Sequence, residues 1–414
     1  MDTKRNIFLW VLYDFANSLV SIVFFLYFAQ WIVVDRGLPD IYFNLTFTVS
    51  AVLLLFTVPI TGFLLDKYFR RITGLRYTTI GTALLYGTCA VFAIFNMSIP
   101  ALIFFALGLY MYLLTFTFYT PLINDISVPE KRGKVSGLGT AANYIGQFAG
   151  LAIVLPFSNG SLSLFGSAAR AETLLPAVFA FTLLALPMLI WFKEPKKEKT
   201  RFQFTSEMRG LLAETKRLFL FPGIALFMLS YFLFNDAVLT AANNFPIFLE
   251  QVWGVSDTVK TYILLGILVT SALGGLVSGA VADRFGHKRT LTFIVAGWIF
   301  ILPLVGLITN FTWFVIATTI MGFWFGSNWA VSRSVMSYLA PSHGHNLAFG
   351  YFGLVERASS FVGPIVWGLT VTSLVSMGSD RYRFATLAVT VFVVLGFIAL
   401  LKVRSDRPAE RSQS

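Results

Sequence analysis

Asp14, Asn17, Ser18 and Ser21 stand at i, i+3, i+4 and i+7 inside WVLYDFANSLVSIVFFLYFAQW, a stretch otherwise fit for hydrocarbon. That spacing places the four on one stripe of a helix. A carboxyl with amide and hydroxyl neighbours can hold a solute's polar groups, pass a proton, or fix helix packing through a hydrogen bond. An Asp at the centre of a membrane helix costs about 2.5 to 3.5 kcal/mol on the insertion scale, so the stripe is expected to face protein or a watery cavity. Asp236, Thr240 and Asn243 form a second such stripe, with Asn235 and Asn244 beside them. Asn143 with Gln147, Asn328 with Ser332 and Arg333, and Glu356 with Arg357 and Ser360 complete the intramembrane polar set. Glu356 and Arg357 are adjacent, about 100° apart on a helix, and are expected to reach separate partners. For Arg333 two readings stand: snorkelling to the interface and binding an anionic group.

These residues lie in runs that read as membrane spans. The chain has 414 residues, is 57% hydrophobic and only 12% charged, well below the roughly 25% charge usual in soluble domains. Runs of about twenty apolar residues, enough to cross a ~30 Å hydrocarbon core, recur at 7–34, 41–65, 77–95, 99–123, 136–157, 173–192, 219–249, 258–282, 291–308, 311–336, 347–376 and 384–403. The fold class expected is therefore an all-α membrane protein of twelve transmembrane helices. The first run is too long for a signal-peptide core and is read as a retained span. Cys89 is the sole cysteine and lies in an apolar run, which implies no disulfide, zinc or thiol chemistry.

The net charge of +11 is a topology signal. With the N-terminus inside, 24 of the 31 Lys and Arg fall in cytoplasmic segments and five outside, at Arg36, Arg170, Lys260, Arg381 and Arg383. The positive-inside rule then puts both termini in the cytoplasm and leaves nucleic acid without a role. The long polar stretch 193–218 suits an amphipathic linker at the membrane surface. It divides the chain into an N-terminal six-helix bundle, 1–192, and a C-terminal one, 219–403, followed by a cytoplasmic tail, 404–414.

The halves echo one another. GFLLDKYFRR carries Gly62, Asp66, Arg70 and Arg71, and GAVADRFGHKR carries Gly279, Asp283, Arg284 and Lys288; Asp66 and Asp283 are 217 positions apart. VPEKRGKVSGLGTAANYIGQFAG and APSHGHNLAFGYFGLVERASSFVG form a second pair, offset by 213 at Gly137 and Gly350. Within the former, Gly146 and Gly150 have the small-xxx-small spacing that lets helices approach closely.

Six plus six spans with this loop motif in duplicate resemble the major facilitator superfamily, although Phe69 stands where the first copy usually has glycine. WVLYDFANS, FYTPLINDISVPEKRGKVSGLGTAANYIG, YFLFNDAVLT and SRSVMSYLAPSHGHNLAFGYFGLVERASSFVGP are similar, more narrowly, to its vacuole-effluxer-like branch, which contains fungal autophagy-related vacuolar amino-acid effluxers and bacterial relatives. The resemblance implies two pseudo-symmetric bundles that alternate access to a central site. It also implies a conformational latch at Gly62, Asp66, Arg70, Gly279, Asp283, Arg284 and Lys288. The substrate or proton-coupling set expected is Asp14, Asn17, Asn143, Gln147, Asp236, Asn243, Asn328, Glu356 and Arg357. The expected function is secondary transport of a small polar organic solute, amino acids foremost, with protons as the candidate coupling ion. A lipid or lipophilic-drug translocator on the same fold is the alternative, and a non-transporting receptor or scaffold a third. There is no ATP-binding loop or paired metal-ligand spacing, and His287, His343 and His345 fall in loops; an enzyme, a cofactor, a metal and an obligate protein partner are not expected. The short loops favour a bacterial or archaeal plasma membrane.

Overall fold

A computed structural model of the chain describes residues 3–67, 70–127, 129–194, 213, 215–221, 223–340 and 345–403, with backbone alone at 3, 60, 62–67, 129–134, 345 and 346. Every regular element among the described residues is helical. A chain in hydrocarbon must satisfy its backbone N–H and C=O groups internally, and a helix does so within one segment. The long helices are α1 (Thr3–Val23), α2 (Asp40–Lys67), α3 (Arg71–Ile94), α4 (Ser98–Tyr119), α5 (Pro129–Ser158) and α6 (Leu174–Trp191). They continue as α7 (Ile224–Trp253), α8 (Asp257–Phe285), α9 (His287–Leu307) and α10 (Phe311–Leu339), then α11 (His345–Ala358), α12 (Gly363–Ser373) and α13 (Asp380–Lys402). Beyond α1 the first span runs on through two π-helical turns, Phe24–Phe28 and Trp31–Asp35.

Eleven helices among the described residues are long and apolar enough to cross a membrane. The eleventh of the twelve expected spans differs: it consists of α11 and α12, of 14 and 11 residues. At about 1.5 Å rise per residue neither alone spans a ~30 Å core. The interruption falls at Ser359–Val362, and Pro364 occupies the first turn of α12, where its missing N–H costs nothing.

Burial is inverted relative to a water-soluble helix. On α3, Thr78, Thr79 and Thr82 are buried, whereas Tyr77 and Leu84 are 75% and 66% exposed. Each of these threonine hydroxyls donates to a carbonyl four residues back, which satisfies it without water. Phe56, Phe179, Leu276 and Phe300 likewise point outward from their helices, as a lipid-facing belt requires.

The chain falls into two compact units. The first takes the described residues up to Glu194 together with Ala242–Tyr262; the second takes those from residue 213 to Ala241 and from Ile263 onward. The end of α7 and the start of α8 thus belong to the first unit.

Within each unit, glycines set the closest helix crossings. In the first, α1 and α5 cross where Gly146 faces the Phe15 carbonyl and Gly150 the Leu19 carbonyl, so a Cβ at either would overlap backbone. In the second, Gly326 of α10 lies against the Ser271 carbonyl of α8 in the same way, and the Ser271 hydroxyl donates to the Gly322 carbonyl at 2.9 Å. The close approach supplies the dispersion contact and interhelical hydrogen bonds on which helix association in lipid depends. Gly350 has open space around it. Gly146→Leu and Gly326→Leu are therefore expected to lower the melting temperature of the purified protein by several degrees or abolish folding. Gly350→Ala should leave it unchanged or raise it slightly through the better helix propensity of Ala; equal tolerance at all three sites would contradict the packing.

Candidate functional site

The polar stripe of α1 lies in the first unit among aromatic rings. Trp10 stacks on Tyr119 of α4 at 4.8 Å and 8°. The pair is tied twice more, because Trp10 Nε1 donates to the Tyr119 carbonyl at 3.3 Å and Tyr119 Oη donates to the Trp10 carbonyl at 2.9 Å. The Tyr13 hydroxyl bonds to Thr79 of α3. These contacts fix the rotation of α1, and the stripe follows from it. The Ser18 and Ser21 hydroxyls turn back onto the Asp14 and Ser18 carbonyls at 2.8 and 3.2 Å. Asp14 is half-buried, with its Oδ2 and the Trp10 ring both over Gly139 of α5, whose missing side chain leaves them room. Asn17 is 1% exposed; its amide lies beside the Tyr13 hydroxyl but outside hydrogen-bond geometry, and it makes no hydrogen bond among the described residues. On α5, Gln147 Nε2 donates to Asn143 Oδ1 at 2.7 Å. Ser18 and Ser21 are thus the side chains of the stripe whose hydroxyls turn back onto their own helix.

In the second unit Asp236 has a different environment from Asp14. Its carboxylate accepts the backbone N–H groups of Phe361 at 3.2 Å, Val362 at 3.1 Å and Gly363 at 2.7 Å. These are donors at the start of α12, which have no intrahelical partner, and the helix dipole favours a negative charge there. A Cβ at Gly363 would collide with Thr240 and crowd Asp236, so glycine is what lets α7 approach. On the other side of the break, Asn235 Nδ2 donates to Ser359 Oγ and, at 3.4 Å, to the Glu356 carbonyl. Two consecutive residues of α7 therefore hold both ends of the interruption in the eleventh span. Asn328 Nδ2 of α10 reaches Asn235 Oδ1 at 3.4 Å.

The remaining sites separate. Glu356 pairs with Arg333 at 3.2 Å, and the Arg333 side chain is 55% exposed, while Arg357 folds back over Gly353 of its own helix. Asn243 is half-buried; its neighbour Asn244 forms a reciprocal amide pair with Asn44 of α2, at 3.0 and 2.8 Å, both residues fully buried. Asn44 stood in an apolar run with nothing in the sequence to join it to Asn244. Of the latch set, Gly62 and Asp66 lie in α2 with side chains outside the described residues. Arg70 is exposed at the start of α3, where Glu194 accepts the N–H groups of Arg71 and Ile72. Asp283 and Arg284 are exposed and Gly279 has open space around it. Lys288 donates to the Leu401 and Val403 carbonyls at the end of α13.

A charge cluster that the sequence presented only as outside anchors lies in the first unit. Arg170, in the helical turn before α6, donates to Asp257 at 2.9 and 3.1 Å, to Glu250 at 2.7 Å and to Asp35 at 2.7 Å. Lys260, fully buried, donates to Asp257 at 2.8 Å and also to Glu250 and Gln30. Two cations face three carboxylates, so each buried charge has several partners, the condition under which such burial is tolerable. Ends of the first, sixth, seventh and eighth spans meet there. Elsewhere, an apolar groove between α9 and α10, bounded by Phe293, Phe300, Leu304 and Trp324, shares no residue with any of these polar sites.

Comparison with known proteins accords with this architecture. The family described as vacuole effluxer Atg22 like matches residues 121–411. An MFS-type transporter of Bacillus subtilis, YxiO, is 23% identical over 98% of this chain and 96% of its own. Autophagy-related protein 22 of Candida glabrata is 24% identical over 48% of this chain, and the match spans 39% of that protein. Among solved structures, a bacterial homologue of the human lysosomal transporter Spinster superposes with a TM-score of 0.75 at 14% identity, covering 98% of this chain and 97% of that one. The nucleoside transporter NupG superposes with a TM-score of 0.71 at 15% identity, covering 96% and 100%. These relatives are transporters rather than enzymes, and this chain, an integral multi-pass membrane protein with the major facilitator fold, belongs to the Atg22-like vacuole effluxer family.

Proposed function

We propose that this membrane transporter moves a small polar organic solute, with amino acids the foremost class, by alternating access between its 1–192 and 219–403 halves, both termini lying in the cytoplasm. The observation that carries the reading is the α1 stripe: a half-buried carboxyl, Asp14, and a buried amide, Asn17, held at fixed rotation by the Trp10–Tyr119 pair. A carboxyl and an amide one turn apart suit a solute with hydrogen-bonding groups better than a lipid tail, which sets the lipophilic alternative second. If transport is coupled to protons, Asp14 is the preferred carrier, because the Asp236 carboxylate already serves three backbone donors. The Arg170–Lys260 cluster would close the outer ends of α7 and α8 onto the first six spans during part of the cycle.

Two experiments test this. Labelled amino acids are offered to proteoliposomes with and without an imposed pH gradient. Gradient-driven uptake is expected in wild type, to fall roughly a hundredfold or more in Asp14→Asn, the low end of what one positioned proton-transfer group contributes, and to keep its gradient dependence in whatever activity Asp236→Asn retains. No uptake of any amino acid by wild type would overturn the solute class, and full activity in Asp14→Asn would overturn its role. For the outer cluster, Gln30→Cys labelled by a membrane-impermeant maleimide should react slowly, since Gln30 is fully buried and the native Cys89 is buried too. Adding Arg170→Gln should speed labelling severalfold; unchanged labelling would remove the cluster from the gating account.

A further inference from the structure

Among the polar side-chain atoms of the second unit that are buried without a partner among the described residues are Tyr231 Oη, Asn328 Oδ1 and Ser332 Oγ, on side chains 0% exposed. They lie on α7 and α10, which the Asn235–Asn328 bond joins. Tyr231 is one turn before Asn235 on α7, and Ser332 one turn after Asn328 on α10, so each pair shares a helix face. Tyr231 is also within electrostatic reach of Arg333, next to Ser332, and of Glu356.

The internal repeat supports the grouping. Tyr231 and Asn235 stand 218 positions after Tyr13 and Asn17, and Ser332 stands 217 after Thr115, close to the offset of the duplicated loop motif. In the first unit the Tyr13 hydroxyl lies beside both Asn17 and Thr115, which is the arrangement the repeat assigns to Tyr231, Asn235 and Ser332. There too a buried amide, Asn17, lacks a partner. The first unit thus builds a Tyr-x-x-x-Asn pair beside a hydroxyl, the repeat points to the same grouping in the second, and both units leave polar atoms unsatisfied there, in a core where such atoms cost free energy.

We infer that Tyr231, Asn328 and Ser332 enclose an internal water site, with a related one beside the unpartnered Asn17 amide of the first unit. The donor set selects the ligand. Asn328 Oδ1 can only accept, and the two hydroxyls can both donate and accept, so one water donating to the amide and bonded to the hydroxyls gains the three hydrogen bonds typical of buried waters. The set carries no charge of its own, which disfavours a metal cation. The site extends the hydrogen-bonded chain Asn328–Asn235–Ser359–Glu356 carbonyl toward the partly exposed Glu356–Arg333 pair. Polar contact then continues from solvent to the residue preceding Asp236.

Radiolytic hydroxyl labelling of the intact protein tests this, because it oxidises side chains beside bound water even when they are inaccessible from bulk. Tyr231 is expected to be modified several times faster than Tyr382, equally buried but hydrogen-bonded to Arg381. Modification at or below the Tyr382 rate would overturn the site. As a second measurement, Tyr231→Phe and Ser332→Ala should each lower the melting temperature by about 2 °C, with the double variant less than additive because one bridge is lost. Singles that are neutral or stabilising, and additive when combined, would mean that the hydroxyls were dry, and would equally overturn it.

Discussion

A helix interrupted within a membrane exposes amide donors that no solvent can reach, and in this chain one carboxylate meets them. Asp236 accepts three consecutive N–H groups at the start of α12, and Asn235 holds the end of α11 through Ser359 and the Glu356 carbonyl. The eleventh span could not keep its break in hydrocarbon otherwise, since each unsatisfied backbone group would cost several kcal/mol, of order 2 to 7. From this follow the glycine at 363, the seating of α7 against α12, and the position of the Asn235–Asn328 bond between α7 and α10.

The same rule governs the other charges. Glu172, 1% exposed, is wrapped by the N–H groups of Leu164, Phe165 and Ser167 and by Ser163 Oγ. Glu194 closes the start of α3, Lys288 the end of α13, and the Arg170–Lys260 cluster balances three acids with two bases. Buried charge here serves backbone ends or opposite charge. Asp14 differs in being half-buried, set among Trp10, Tyr119 and Gly139 on the polar stripe of α1.

Much of the fold was legible in the sequence because lipid imposes a simple code: a run of apolar residues of sufficient length has little to become but a helix. The two π-helical turns of the first span and the break in the eleventh were not, because Ser359–Val362 reads as an unremarkable join between apolar stretches and only the distant Asp236 makes it viable. The stripe of Asp14 and Asn17 was legible from spacing alone. The destination of Asp236 was not, since the i, i+4 pattern shows which face a residue occupies and not which neighbour it meets. Arg170 and Lys260 counted as outside anchors for a related reason: although Asp257 stands one turn before Lys260, their partners Asp35 and Gln30 lie 135 and 230 positions away, beyond any local pattern. Gly146 and Gly150 announced a close helix pair, and the structure supplies its partner, α1.

Amide hydrogen exchange across the eleventh span tests the central claim most directly. With Asp236 in place, the N–H groups of Phe361, Val362 and Gly363 should exchange slowly although they lie outside helical hydrogen bonding. In Asp236→Ala they should exchange at least about tenfold faster, a loss of roughly 1.4 kcal/mol of local protection, with Asp236→Asn intermediate and α9 and α10 unchanged. Unaltered exchange at 361–363 in a folded Asp236→Ala protein would show that something other than this carboxylate holds the broken helix, and the account built on it would fail.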